Sequence, residues 1–485
     1  VKKVLSVVIL LSCVGSLFLF QNCARGFETI SASELPATIN GTTTAVIPEV
    51  ETGAEFSCPD LIALKDSGRS AVTALQSCLA SASEGASVLL PGGKYLIDSP
   101  VVINKAVTLA TKNLTATDSA CAATDTTRCA TFMLSSAPQT TDVRGMIQIT
   151  ANKVNVDHIV VDGDRANPVR QIYSLCRNDA TRGQGNNLAL DGTDFVMTNS
   201  VTRNSPCSTG FEIHASALRF KFVNNFVGNN GAHNENMMWA DGLTVHSSED
   251  SLVDSNTFQN NTDVDLIFGG CQRCTIQNNK IVHTTSFAGS SFAALMLHSW
   301  DAAHGNYTGS VTKNNSIDCS YMRRCGFGIL LGSQPWYDQP YFGGEVSGNS
   351  VNYAMAGLVI NDATGSTKLL SNTVTGSGGT FASSCGDVNF AAFSISPTSA
   401  KYINTNQSGF TSVSYKGCIA NWWTRDSATA QCDPVNQPAP HWGMKNGQCL
   451  KSCGALGGTR AFASACSANG MTDVGTAYDV PYCCK

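Results

Sequence analysis

The run Ala240-Asp241-Gly242-Leu243-Thr244-Val245-His246, continuing to Phe258, recurs 23 positions later as Asp263-Val264-Asp265-Leu266-Ile267-Phe268-Gly269, continuing to Ile281. Laid one over the other, Leu243 meets Leu266, Val245 meets Phe268, Asn256 meets Asn279 and Phe258 meets Ile281. A fixed period of about this length, built from short alternating runs broken by Gly and Asn, marks a solenoid of strands. Helical solenoids repeat at longer intervals and with a 3.6-residue rhythm. Working outward, an asparagine two residues before an apolar anchor recurs as Asn199, Asn225, Asn256, Asn279, Asn315, Asn349 and Asn372. One asparagine per winding suits a stacked turn: Asn tolerates the left-handed backbone, and its amide can bond its counterpart in the next winding.

The wider chain agrees with an all-β solenoid. Its 485 residues are 42% hydrophobic and 14% charged, enough for a large folded body. A formal charge of -5 with no basic stripe gives no electrostatic case for nucleic acid. Residues 1–23 read as an export signal, with Lys2-Lys3 ahead of an apolar run ending at Cys23. Residues 24–55 are Thr-, Ser-, Ala- and Pro-rich and read as a tether. Residues 56–415 carry the solenoid, opened by a capping helix whose Val72, Leu75 and Leu79 share a face. Residues 416–485 form a small cysteine-rich module. Its odd count of seven cysteines makes Cys385 an expected partner, and cap, spacer or carbohydrate-binding appendage are its possible roles.

Cysteine usage points to an oxidising compartment. Proximity suggests pairing of Cys58 with Cys78, Cys121 with Cys129, Cys176 with Cys207, Cys271 with Cys274 and Cys319 with Cys325. Cys271-Gln272-Arg273-Cys274 falls on a turn with no helix after it, which favours a structural disulfide over a redox or zinc motif.

Alternation puts Leu243 and Val245 inside and Thr244 and His246 outside. Carried along the rungs, the His246 column holds Asp191, His214, His246, Gly269, His298, Gly332 and Asn361. At ~4.8 Å per strand, His214 and His246 become neighbours and His298 lies within reach of a shared ligand. Beside them, Asp241, Asp263 and Asp265 are expected to crowd on adjoining windings, a setting that raises one carboxyl's pKa or recruits a cation. That arrangement serves glycoside cleavage, with one acid and one base, or a Ca2+ site. Long connections at 228–240, 284–293, 299–311 and 332–345 border the rungs and carry Trp239, Trp300 and Trp336. These rings either stack on sugar faces or pack loops against the solenoid.

The repeats, together with Gly85 to Ile97 as a first coil and Ser67 to Ser83 as its cap, resemble right-handed parallel β-helix proteins of the pectate-lyase superfamily. The likeness spans roughly residues 56–400. Within that family, Ala240-Asp241-Gly242-Leu243 is similar to the polygalacturonase sequence Asn-Thr-Asp-Gly-Ile, which puts Asp241 on the water-activating aspartate. Thr262-Asp263-Val264-Asp265 is similar to Gly-Asp-Asp-Cys, which puts Asp263 on the proton donor, while Val264 and Asp265 depart from the pattern. The family's Gly-His-Gly and Arg-Ile-Lys have no counterparts, and the latter pair would hold a uronate carboxylate. The signal resembles that of a bacterial lipoprotein, with Cys23 as the lipidated residue and unlipidated cleavage as the alternative. The resemblance implies an exported monomer held at the outer membrane or cell surface.

The expected function is therefore cleavage of a polysaccharide, by hydrolysis rather than elimination. Asp241, Asp263 and Asp265 would be catalytic or would hold Ca2+. His214, His246, His298 and the three tryptophans would bind substrate. The alternative is a non-catalytic surface protein that holds glycan in the same groove.

Overall fold

The computed structural model describes residues 53–135, 145–170, 185–232, 239–285, 289–300, 305–332, 340–383 and 386–415, with short strands between His441 and Cys484. Most strands of residues 55–412 form three parallel sheets of 12, 11 and 10 strands. Each winding gives one strand to each sheet in turn. The winding of the quoted repeat runs through Ala240–Val245 in the 11-stranded sheet, Leu252–Asp254 in the 12-stranded sheet and Thr257–Gln259 in the 10-stranded sheet. The next follows with Val264–Phe268, Thr275–Gln277 and Lys280–Val282. This is a parallel β-helix. The sequence pairs are its rungs: Leu243 lies on Leu266, Val245 on Phe268 and Phe258 on Ile281. Their side chains fill one continuous apolar core along the axis.

The asparagine column is a hydrogen-bonded ladder. Asn256 Nδ2 donates to Asn279 Oδ1 at 2.9 Å, Asn279 to Asn315 at 2.9 Å, Asn315 to Asn349 at 2.9 Å and Asn349 to Asn372 at 2.8 Å. Each also binds a main-chain carbonyl across the turn, as Asn279 binds Val253. The left-handed residue is the one before each rung, such as Asn224, Asn278 and Asn314, rather than the ladder asparagine. Asn199 is itself such a residue, and Ser200 takes the ladder place by donating its N–H to Asn225 Oδ1. Val201 accordingly pairs with Phe226, one residue off the expected Val227. Asn279→Ala would strand the buried main-chain N–H of Asn256 and remove the side-chain bonds to the Asn256 amide, Asn315 Oδ1 and the Val253 carbonyl. We expect a loss of about 2–3 kcal/mol in urea unfolding, with amide exchange accelerated first in the adjoining windings.

The N-terminal end of the core is closed by the helix Val72–Ser81, which buries Leu75, Cys78 and Leu79. Gln76 completes the cap by bonding both the carbonyl and the N–H of Val102. Disulfides join Cys58–Cys78, Cys121–Cys129, Cys271–Cys274 and Cys319–Cys325, as proximity suggested. Cys207 is also disulfide-bonded. Its expected partner Cys176 lies outside the described residues, as do Cys23, Trp336 and Cys385. In the C-terminal region, His441–Lys445 pairs antiparallel with Gln448–Lys451, and Cys483–Cys484 pairs with Thr459–Arg460 and Asp473–Gly475. Among the described residues, no helix is long and apolar enough to cross a membrane.

The outer face of the 11-stranded sheet changes character along the axis. One outward column runs Gln148, Ala189, Glu212, Thr244, Ile267, Met296, Leu330 and Val359. From Ile267 onward it is apolar and covered by Phe381, Phe390 and Tyr415, from the hairpin Gly379–Ser383/Gly386–Phe390 and the segment after it. Ahead of Ile267 it is polar apart from Ala189.

Candidate active site

The polar end of that face collects ionisable groups from four successive windings. The histidine column has the expected register, since the N–H groups of His214, His246, Gly269 and His298 each bond the residue before the preceding column member. At its centre stands Glu212, two residues before His214 and on the same face. Its Oε1 meets His246 Nε2 at 2.7 Å, and its Oε2 lies 3.5 Å from His214 Nε2 and accepts from Asn186 Nδ2. His214 Nδ1 bonds Asp191 at 2.8 Å, and Gln148 bonds that aspartate's other oxygen at 2.9 Å. The ring centroids of His214 and His246 are 5.7 Å apart. Period-two alternation applied backward from His214 identifies Glu212, a step that a search confined to the histidine column does not take.

Charge and burial set these groups apart. Burial opposes ionisation of Glu212, but the nearby imidazoles of His214 and His246 outweigh that and hold it well below the usual carboxylate range. Burial likewise opposes charge on His214, yet Asp191 and Glu212 prevail and raise it to about 9. His246 keeps a side chain 35% exposed at the mouth of the cluster. His298 differs: it is wholly buried, and burial pushes it down to about 3, with neighbouring His246 adding to the effect. It lies under Trp300, edge to face at 4.2 Å between centroids, so its ring is shielded from any substrate on the surface.

Trp300 is half-buried, 5.3 Å from His246, and lies across Gly269. A Cβ at Gly269 would come within 2.0 Å of the Trp300 indole nitrogen, so the column requires glycine there. Trp239 is 9% exposed and packs in the outer apolar cluster with Val264 and Ile267. Of the two readings offered for these rings, packing describes Trp239, while Trp300 still borders the mouth.

The three aspartates do not share one face. Asp241 is outward and partly exposed: its Oδ2 accepts from the Thr244 hydroxyl at 2.8 Å, and its Oδ1 accepts from the Val264 N–H at 2.8 Å. Thr209 Oγ1 lies 2.9 Å from Thr244 Oγ1 and extends the chain of hydroxyls. Asp263 is half-buried at the entrance to the next strand, beside that Val264 amide. Asp265 is fully buried and turned toward the corner between sheets, which corrects its expected place in the groove. Alternation fails there because the chain bends: Val264 and Ile267 join the outer cluster, while Leu266 and Phe268 join the core. Asp265 Oδ2 instead meets buried His283 Nε2 at 2.6 Å, and its Oδ1 accepts from Asn261 at 2.9 Å. A Ca2+ cage made of all three carboxylates is therefore not formed.

No family model matches the sequence, and no curated protein matches it. Solved structures do. The chain aligns with a polygalacturonase from Erwinia carotovora ssp. carotovora at 12% identity and a TM-score of 0.49, over 76% of this chain and 100% of that one. It aligns with an exopolygalacturonase from Thermotoga maritima at 10% identity and 0.47, over 77% and 94%. It aligns with ORF18 of Geobacillus virus E2 at 12% identity and 0.37, over 67% of this chain and only 59% of that one. These are likenesses of winding, and the strand pairing described above establishes the parallel β-helix itself.

Proposed function

We propose that the chain is an exported polysaccharide-active protein that cleaves glycosidic bonds by hydrolysis at the polar end of the 11-stranded sheet. The observation that carries this reading is Asp241: an outward carboxylate that accepts hydrogen bonds from Thr244 and Val264, next to the Glu212–His246 pair. These donors fix its direction, as a base that activates water requires. Asp263, one winding on, is the proton donor to the leaving oxygen. His246 and Trp300 border the sugar. The substrate class rests on the motif likeness around Asp241 and Asp263.

Elimination would need a base at the sugar's acidic carbon, for which Arg203, Arg323, Arg324 and the histidines are the candidates. Arg203 is instead tied to Asp162, Arg323 donates to the Ala354 carbonyl, and Arg324 donates to the Thr285 carbonyl. That distribution favours hydrolysis. Disulfides in the described windings support an oxidising, extracytoplasmic location, with a lipid on Cys23 as the anchor.

The test is a mixed glycan panel read for released oligosaccharides. Saturated ends are expected, and unsaturated ends would replace hydrolysis with elimination. Asp263→Asn is expected to slow release at least ~100-fold. Unchanged turnover in that variant would remove Asp263 as the proton donor, and no release by the wild type from any glycan that binds would leave a non-catalytic glycan holder.

A further inference from the structure

We propose that Glu212, His214 and His246 form a binding site for one divalent transition-metal ion of the zinc class. The donor set comes first. Two imidazoles and one carboxylate, with their donor atoms all within 4.8 Å of one another, make a three-ligand set suited to zinc and its neighbours, and poorly suited to Ca2+.

A second, independent observation is the state of His214. The residue is buried, yet its Nε2 has no hydrogen-bond partner and faces Glu212 at 3.5 Å. That gap is too long for a hydrogen bond and close to the roughly 3.3 Å that separates two donors sharing a tetrahedral zinc ion. The Glu212–His246 contact of 2.7 Å has to open by only about half an ångström for the ion to enter.

The surroundings are those of a built site. Asp191 bonds His214 Nδ1, which fixes the ring with Nε2 aimed at the cluster, so that an incoming ion takes the place of the Nε2 proton. Gln148 holds Asp191 in turn, and Asn186 holds Glu212. A carboxylate behind a ligating histidine is the usual outer support of such ions. The half-exposed edge of His246 leaves the fourth position open to water or to a sugar hydroxyl on the groove. The site goes beyond the hydrolase reading, because ion uptake is measured with no glycan present.

The experiment uses the full untagged chain, stripped with chelator. It is titrated with Zn2+ by calorimetry and with Co2+ by visible absorption, beside the His214→Ala/His246→Ala double variant. The wild type should take up one ion more per chain than the double variant, and Asp191→Asn should weaken that ion's binding about 10–100-fold without touching it. Equal stoichiometry and affinity in wild type and double variant would overturn the proposal. If the double variant fails to fold by circular dichroism, Glu212→Gln decides by the same comparison. Its amide keeps the shape and the contact with Asn186 while removing the charged donor.

Discussion

Asp265→Ala is expected to lower the free energy of unfolding by about 3–5 kcal/mol, the scale found when one partner of a buried ion pair is removed. His283 is wholly buried and faces an acceptor from each ring nitrogen: Asp265 at Nε2 and the Gly289 carbonyl at Nδ1. An imidazole bonded in this way donates from both nitrogens and is therefore a cation. Burial works against that charge, but Asp265 and the Gly289 carbonyl prevail and raise His283 above its ordinary value. The sign of the pH dependence follows. Because the folded value exceeds the unfolded one of about 6.5, the pair's contribution is complete below that pH and is lost as pH rises through the folded value. Asp265→Ala should therefore flatten the alkaline side of the stability profile as well as lower it. A variant with wild-type stability and an unchanged profile would show that the pair contributes nothing. Asp265→Asn separates shape from charge, since it keeps an acceptor for Asn261 and loses the ion pair.

The same residue shows where the sequence could be read and where it could not. Rung pairing was legible because period-two alternation and the 23-residue spacing are both properties of the strand interior, and the pairs Leu243–Leu266 and Phe258–Ile281 lie there. At the corner the column runs Gly210, Gly242, Asp265, Ala294, Gly328 and Gly357, in which only Asp265 carries more than a methyl group. A Cβ on Gly242 would meet the Asp265 carbonyl at 2.3 Å, so the neighbouring winding offers no room for a side chain in that direction. Asp265 fits only because His283 and Asn261 receive its carboxylate. Alternation counted from Leu266 cannot register a bend, and so it put Asp265 in the groove. The shift at Asn199 has a similar origin, because an asparagine suits both the ladder place and the left-handed place beside it. The apolar cover by Phe381, Phe390 and Tyr415 depends on a hairpin folding back over distant windings, which no local pattern records.

Asp241→Asn should reduce glycan cleavage by about 10³–10⁴-fold while leaving the fold intact, and the geometry explains both halves of that expectation. The asparagine carbonyl can still accept from the Val264 N–H, and its amide can donate to a Thr244 hydroxyl that turns around. Strand entry and packing are thus kept, and thermal unfolding should move little. What disappears is the negative charge that removes a proton from attacking water. Thr244→Val offers a graded version: it takes away the hydroxyl that donates to the carboxylate and the link to Thr209, so the base is retained but less firmly oriented. Its rate should fall less, about tenfold. If Asp241→Asn cleaves as fast as the wild type while Thr244→Val is slowed, the carboxylate is only a cap for the Val264 amide, and the base must be sought in the Glu212–His246 pair instead.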